Sequence, residues 1–237
     1  MTDLTPMMIQ YNKIKSQVNG ALLFFRLGDF YEMFADDALL ASKELEITLT
    51  GRGQGESRIP MCGVPYHSVK PYISKLISRG YKVAICEQTE DPSLAKGIVK
   101  REIVKIITPG SVLDDESLSE KRGNYLMAIA VDKDKAALSY IDVSTGEFMA
   151  LDLEGEGKRR NLFDEIDRVS PAEILVFSGV LEKDEELKNF IIQKSIVLTP
   201  YNLKDIFDTE LAKEKVLRHF GVSSLEGFGF SGDELSL

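Results

Sequence analysis

The sequence predicts an α/β protein of two domains: an α+β first domain with a mixed sheet, followed by an α/β second domain. Its 237 residues suit two compact units better than one. Short apolar runs of strand character alternate with helical segments in both halves. A polar, charged stretch at 114–124 separates these halves and is predicted to be a linker. The domains are therefore placed at 1–113 and 125–237.

In the first half, Thr5-Pro6 predicts a helix start, because Thr can cap a helix and Pro is tolerated at the first helical position. Gly28-Asp29 predicts a tight hairpin, because both residues accept the positive φ that such turns need. The predicted elements are a helix between Thr5 and Gly20, strands at 22–27 and 30–34, a helix at 35–45, a strand at 46–50, a loop at 51–58, a rigid non-repetitive segment at 59–67, a helix at 68–80, and strands at 81–88 and 97–110.

In the second half, three short strands joined by turn residues predict an antiparallel meander. Helices and strands then alternate, which favours a ribonuclease-H-like layered domain. The predicted elements are strands at 125–131, 136–143 and 147–153, a helix at 158–169, a strand at 173–177, a helix at 182–190, a strand at 195–199 and a helix at 209–219.

The charge differs between the halves. Residues 1–113 hold 14 Lys and Arg against 12 Asp and Glu, a net charge of +2, whereas residues 114–237 hold 15 against 26, a net charge of −11. Attraction to nucleic-acid phosphates can therefore operate only in the first half. The acidic second half suits contacts with other proteins.

The remaining composition predicts a cytoplasmic protein without a metal. The first residues show no basic segment followed by an apolar core, and the longest apolar run near the start, Ala21 to Phe25, cannot cross a bilayer. Cys62 and Cys86 are predicted to be buried thiols in a reducing compartment. Neither they nor the two histidines, His67 and His219, show ligand spacing, so no zinc site is expected.

The segment Gly28-Asp29-Phe30-Tyr31-Glu32 carries the functional hypothesis. Side chains alternate along a strand, so Phe30 and Glu32 share one face while Tyr31 points towards a core. An exposed ring beside a carboxylate suits a base pair: the ring can enter the stack and the carboxyl group can bond to a base edge. A mispaired base is already poorly stacked, so entry costs less there. Burial and nearby phosphates should also raise the pKa of Glu32, which would let it donate a hydrogen bond. From spacing alone, a core Phe with a solvated Glu stays an open alternative.

Several motifs resemble, in this order along the chain, the N-terminal mismatch-recognition domain and the connector domain of the bacterial DNA mismatch repair MutS family. They are TPMMIQY, FFRLGDFYEMFADDA, ITLTGRG, IPMCGVPYH, AICEQTEDP, VKREIVKIITPGSV, SYIDVSTGEF and GFGF. The resemblance covers essentially the whole chain. It implies that Phe30 stacks on a mispaired or looped-out base in duplex DNA and that Glu32 bonds to that base.

The resemblance also assigns DNA contacts outside this motif to Arg52, Met61, Gly63 and His67. Arg52 would contact a phosphate, although a solvated loop arginine is an equal alternative. Met61 could instead pack in the core, and His67 could be a structural histidine.

Members of this family hydrolyse ATP with a P-loop, G-x-x-x-x-G-K-[ST]. The nearest match here, Gly157-Lys158, has Asp152 in place of the first Gly and Arg159 in place of Ser or Thr. The expectation is therefore a C-terminally truncated, non-enzymatic fragment without cofactors, in which ATP and Mg²⁺ belong to a region beyond Leu237. The resemblance implies a homodimer for the full-length protein, a monomer for the fragment, a MutL-type partner for the connector, and a cytoplasmic, nucleoid-associated location.

A second hypothesis comes from the ribonuclease-H-like pattern. Such domains can be nucleases in which carboxylates converge on two Mg²⁺ ions. Asp142 lies in a predicted strand, with Asp132, Asp164, Glu165 and Asp167 as candidate partners. Because Asp142 directly precedes a Ser-Thr-Gly turn, a turn-stabilising role is the alternative.

Overall fold

The structure is a computed structural model of the chain that describes residues 5–18, 20–55, 58–90, 97–112, 123–131, 135–202 and 209–229. The contacts divide the chain into two units, Met1–Ser119 and Glu120–Leu237. Most of the predicted linker, 114–122, lies outside the described residues. Both units combine helices with a mixed sheet, so the predicted α/β class is confirmed.

The first unit consists of one six-stranded sheet with helices on both faces. Its elements are α1 (Pro6–Lys15), β1 (Ala21–Leu27), β2 (Phe30–Phe34), α2 (Ala35–Leu45), β3 (Thr50–Arg52), β4 (Ile59–Pro65), α3 (Lys70–Ser78), β5 (Lys82–Gln88) and β6 (Arg101–Ile107). The strand order is β3-β4-β2-β1-β5-β6, in which only the β1–β5 pair is parallel. β2 therefore lies inside the sheet, between β1 and β4.

Two hydrophobic cores hold this sheet, one on each face. The apolar residues of α2 and α3 pack on one face around Phe24, Tyr31 and Met33. The apolar residues of α1 pack on the other face around Phe25 and Phe34. Thr5 caps α1 by accepting a hydrogen bond from the amide of Met8, as its position before Pro6 predicted.

Two predictions for the first unit are wrong. The strand predicted at 46–50 contains only Thr50, because Glu46 ends α2 with a left-handed φ of 58° and the amide of Ile47 bonds back to Ser42. The segment predicted to be non-repetitive forms β4 instead. It tolerates Pro60 and Pro65 because they stand near its two ends, where they disturb few ladder hydrogen bonds.

The second unit is a five-stranded sheet with an antiparallel meander. Its elements are β7 (Tyr125–Val131), β8 (Lys135–Asp142), β9 (Glu147–Glu154), α4 (Lys158–Val169), β10 (Glu173–Phe177), α5 (Ser178–Leu181), α6 (Glu185–Gln193), β11 (Val197–Tyr201) and α7 (Thr209–Phe220). The order is β11-β10-β7-β8-β9, with β10 parallel to both β7 and β11. This arrangement is consistent with the predicted ribonuclease-H-like layering, and its main core lies between the sheet and helices α4 and α6.

The predicted boundaries differ most around residue 184. The helix expected at 182–190 begins later, because the side chain of Asp184 caps α6 by accepting a hydrogen bond from the amide of Leu187. β11 extends to Tyr201 through Pro200, which the sheet tolerates because β11 is an edge strand. Within the described ranges, no helix has the length and apolar character needed to span a membrane.

Candidate nucleic-acid interface

A two-residue turn brings Phe30 to the surface. Leu27 of β1 stands opposite Phe30 of β2, so Gly28 and Asp29 form the predicted turn. Gly28 has a φ of +56°, a conformation that glycine adopts without a steric penalty. Phe30 follows directly and is 47% exposed. A phenylalanine ring that is about half exposed forgoes part of the stabilisation of full burial, which amounts to about 1.5–3 kcal/mol.

The rest of β2 alternates as the sequence predicted. Tyr31 and Met33 face the core beneath α2 and α3, and both are buried. Phe34 lies on the same face as Phe30 but is only 1% exposed, because the ring of Tyr11 from α1 packs on it at a centroid distance of 4.9 Å. The cover provided by α1 ends before Phe30, so this sheet face has a covered end and an open end.

Glu32 lies between the two phenylalanines and is partly enclosed. Its side chain is 19% exposed, and its Oε2 accepts a hydrogen bond from Nη1 of Arg52 at 3.1 Å. Burial raises the pKa of Glu32 above its ordinary value, while the Arg52 guanidinium acts in the opposite direction. The structure thus confirms the burial effect predicted for this carboxyl group and adds a cationic partner.

Four of the six candidate residues line one groove of about 550 Å³: Phe30, Glu32, Met61 and Gly63. Gly63 stands opposite Glu32 in the β2–β4 register. A Cβ at Gly63 would lie 3.2 Å from the carbonyl oxygen of Tyr31, so a larger residue would crowd the floor of the groove. Met61 is half-buried and also packs on the core beneath α1, which places it both in the groove and against the core.

His67 lies apart from this groove. It occupies a 3₁₀ turn, Tyr66–Ser68, where it is exposed and its ring contacts that of Tyr66 at a centroid distance of 5.6 Å. The geometry therefore groups five candidates, with Arg52 joined to the groove through Glu32, and leaves His67 outside that group.

Sequence reasoning missed one contact that supports the turn. The guanidinium of Arg26 stacks 3.3 Å from the ring centroid of Tyr66, and its Nε donates to the carbonyl oxygen of Gly28 at 2.5 Å. The amide of Tyr66 donates to the carbonyl oxygen of Asp29 at 2.9 Å. These contacts hold both turn residues beside Phe30. A charged residue inside the apolar run LLFFRL was the available signal.

Comparison with known families decides the relationship. Residues 5–116 match a family model described as MutS domain I, and residues 124–237 match one described as MutS domain II. This chain belongs to the MutS family. The resemblance noted in its motifs is therefore confirmed over both halves.

Curated relatives agree with this assignment. The DNA mismatch repair protein MutS of Alkaliphilus oremlandii is 48% identical over 100% of this chain and 27% of the relative. The proteins of the same name from Syntrophomonas wolfei and Acetivibrio thermocellus are each 50% identical, over 97% and 93% of this chain and over 27% and 25% of the relative. The chain thus spans about a quarter of the length of the MutS proteins it matches.

In the part that matches MutS domain II, Asp142 stabilises a turn. Its Oδ1 accepts hydrogen bonds from the amide and hydroxyl of Ser144 at 2.8 and 2.6 Å, and its Oδ2 accepts one from the amide of Asn124 at 3.1 Å. Burial acts to raise the pKa of Asp142, but these hydrogen bonds hold it below its ordinary value. Both oxygens are therefore engaged, in keeping with the turn-stabilising alternative.

The other candidate nuclease carboxylates bind neighbouring cations. Glu165 bonds to Arg168 at 2.6 Å, Asp167 to Lys194 at 2.7 Å, and Asp164 lies 3.8 Å from Arg160, while Asp132 lies outside the described residues. Among the residues that the structure describes, no three His, Cys, Asp or Glu side chains are grouped to hold a metal ion. Of the described candidates, Asp142 thus stabilises a turn, and Asp164, Glu165 and Asp167 form ion pairs.

Both cysteines are buried thiols, as predicted. Neither Cys62 nor Cys86 forms a disulfide, and each is at most 1% exposed. Burial raises the pKa of Cys62 to about 11 and that of Cys86 to about 12. Both thiols therefore stay protonated at neutral pH and are poor nucleophiles.

Proposed function

We propose that residues 1–113 examine duplex DNA for mispaired or looped-out bases. In this function Phe30 is a wedge that enters the base stack, and Glu32 is a probe that bonds to the displaced base. The observation that carries the proposal is the 47% exposure of Phe30 at the end of a hairpin, on the same face as Glu32 and lining the same groove. The net charge of +2 in this half permits an approach to phosphates.

The selectivity follows from the energy of unstacking. Opening a step of normal duplex costs a few kcal/mol, whereas a mispaired or unpaired base is already poorly stacked. Stacking a base on an aromatic ring returns about 1–3 kcal/mol. The gain therefore offsets the cost only where the duplex is weakened, so the wedge selects deformability instead of sequence.

The raised pKa of Glu32 supports its role as the probe. A carboxylate is repelled by DNA phosphates, and a raised pKa makes its protonation on binding less costly. A protonated carboxyl group both donates and accepts hydrogen bonds, so one residue can serve several mismatches. The proposal assigns further DNA contacts to four residues. Arg52 contacts a phosphate, Met61 and Gly63 contact DNA from the groove, and His67 contacts it from the 3₁₀ turn that follows β4.

For residues 125–237 we propose the role of a connector between this DNA-reading unit and the ATPase region of a longer MutS protein. Its net charge of −11 over 114–237 disfavours DNA and suits a docking surface for a MutL-type partner. In this proposal ATP, Mg²⁺ and homodimer formation belong to the longer cytoplasmic protein, and this chain is a monomer that does not hydrolyse ATP. One such unit offers a single contact with DNA, so the chain alone binds weakly.

The test compares this chain and its Phe30→Ala variant on short labelled duplexes that are matched, carry a G·T pair or carry an unpaired T. Wild type should bind the two defective duplexes more tightly. Phe30→Ala should lower that affinity by about 5- to 150-fold, the equivalent of the 1–3 kcal/mol expected from stacking, and remove the preference. Fluorescence anisotropy at low salt measures the Kd for each duplex.

Phe148 provides a matched control, because it is also 47% exposed on a strand but lies in the second unit. Phe148→Ala removes a ring of equal exposure and should leave all three Kd values unchanged. A Phe30→Ala variant that keeps the wild-type preference would contradict the wedge.

A further inference from the structure

The Glu32–Arg52 ion pair crosses a strand. Arg52 is in β3 and Glu32 in β2, and β4 lies between them. In the two registers, Arg52 stands opposite Ile59 and Glu32 stands opposite Gly63. Because Gly63 has no side chain, the space above β4 beside Glu32 stays open, and Nη1 of Arg52 reaches Oε2 of Glu32 at 3.1 Å.

The two partners differ in exposure. The Arg52 side chain is 47% exposed, whereas that of Glu32 is 19% exposed. Ion pairs with a well-exposed member contribute about 0–1 kcal/mol, so this pair is weak enough to be exchanged. The other carboxylate that lines the groove, Glu46, has its own cation in Lys75 at 2.9 Å. In the described residues, Arg52 is therefore the cation that neutralises the probe.

We propose that Glu32 and a DNA phosphate compete for Arg52, so that the arginine transfers to the phosphate only when Glu32 bonds to a displaced base. This inference rests on the proposed function and deepens it, because it assigns Arg52 a part in discrimination as well as in binding. On matched DNA, Glu32 has no base partner and keeps Arg52. On defective DNA, the Glu32 carboxyl group bonds to the displaced base, and the Arg52 guanidinium is then free to contact a phosphate.

Salt dependence measures this transfer directly. Each phosphate contact adds about 0.9 to the slope of log K against log salt concentration. A neutral glutamine at 32 holds Arg52 less strongly, so Glu32→Gln should free Arg52 on matched DNA too. Matched binding should then tighten several-fold, and its slope should steepen by about 0.9. Removal of charge repulsion alone would also tighten binding, so the variant needs a second substitution to be decisive.

The decisive experiment is a double-mutant cycle in this chain on matched duplex. If transfer occurs, Glu32→Gln steepens the salt slope when Arg52 is present and does not do so in the Arg52→Gln background. Arg58 is the matched control: it is an exposed arginine near the same strands, and its side chain lies against Gly51. In the Arg58→Gln background, Glu32→Gln should keep its full effect.

A measurement without DNA tests whether the Glu32–Arg52 ion pair forms in the free protein. Since Arg52 lowers the pKa of Glu32, Arg52→Gln should raise that pKa in an NMR titration of the Glu32 carboxyl carbon, and Arg58→Gln should not. An unchanged pKa would overturn the exchange, as would a Glu32→Gln effect of equal size in both arginine backgrounds. Failure of the proposed function looks different: wild type would bind no duplex, or would not prefer the defective ones, or Phe30→Ala would keep that preference.

Discussion

The covered and open ends of one sheet face hold similar residues in different environments. At the covered end, Phe34 is 1% exposed and Asp37 is 8% exposed, and the hydroxyl of Tyr11 lies 3.3 Å from an oxygen of Asp37. At the open end, Phe30 is 47% exposed, and Glu32 is half-buried. Each end thus pairs a phenylalanine with a carboxylate.

The cations match as well, since Lys15 binds Asp37 at 2.8 Å and Arg52 binds Glu32 at 3.1 Å. The two ends differ because α1 packs over Phe34 and does not extend over Phe30. Where that helix packs on the sheet, the pair is part of the core and its contacts stabilise the fold. Where the helix has ended, the same chemistry is left accessible to a ligand. The comparison predicts that substitutions at the two ends separate stability from binding.

The largest expected difference is between the two phenylalanines. Phe34→Ala should lower the free energy of unfolding of the first unit by about 3–5 kcal/mol, because it leaves a cavity beneath α1. Phe30→Ala should change it by no more than about 0.5 kcal/mol. Native-state hydrogen exchange at the β1 and β2 amides measures both. Equal losses for the two variants would mean that the open end is part of the core in solution.

A smaller difference is expected between the carboxylates. Asp37 also accepts a hydrogen bond from the amide of Leu23 at 2.9 Å, so Asp37→Ala leaves a buried N–H without its partner. The expected loss of unfolding free energy is about 2–3 kcal/mol. Asp37→Asn keeps an acceptor for Leu23 and should lose less. Urea unfolding followed by circular dichroism compares the two variants, and an Asn variant as unstable as the Ala variant would refute the role given to Leu23.

The smallest expected effect concerns Glu32 and pH. Its pKa is raised in the folded state above the ordinary 4.5, so stability falls as pH rises from 4.5 to the folded-state pKa, and the cost of ionisation is fully present above that pKa. Glu32→Gln removes that cost and should increase stability at pH 7 by on the order of 0.5 kcal/mol. Well below pH 4.5 Glu32 is protonated in both the folded and the unfolded state, and the gain should vanish. A gain that persisted in acid would show that the charge is not its cause.

The local part of the site was predictable from sequence. Strand alternation placed Phe30 with Glu32 and sent Tyr31 inwards, and Gly28-Asp29 marked the turn. Those rules act between neighbours in the chain. These rules could not predict the burial of Phe34, because Phe34 shares the sheet face of Phe30. The two residues differ in burial only because Phe34 contacts α1.

The long-range part of the site was not predictable from the sequence. Arg52 and Glu32 are 20 residues apart, and their pairing depends on β4. The sequence did not predict β4 as a strand because it contains two prolines. The register that puts Gly63 opposite Glu32 likewise has no signal in the sequence. The family resemblance assigned Arg52 to a phosphate contact but gave no reason to expect an ion pair between Arg52 and Glu32.

The position of β2 inside the sheet has a mechanical consequence. A ring that separates stacked bases is pushed back by them, and a flexible loop would recoil under that load. Phe30 is joined directly to a short strand hydrogen-bonded on both sides, whose next residues are clamped between two layers of helices. If Phe30 acts as the proposed wedge, the force is carried into a strand that is paired on both sides, and the strain is left for the nucleic acid to absorb.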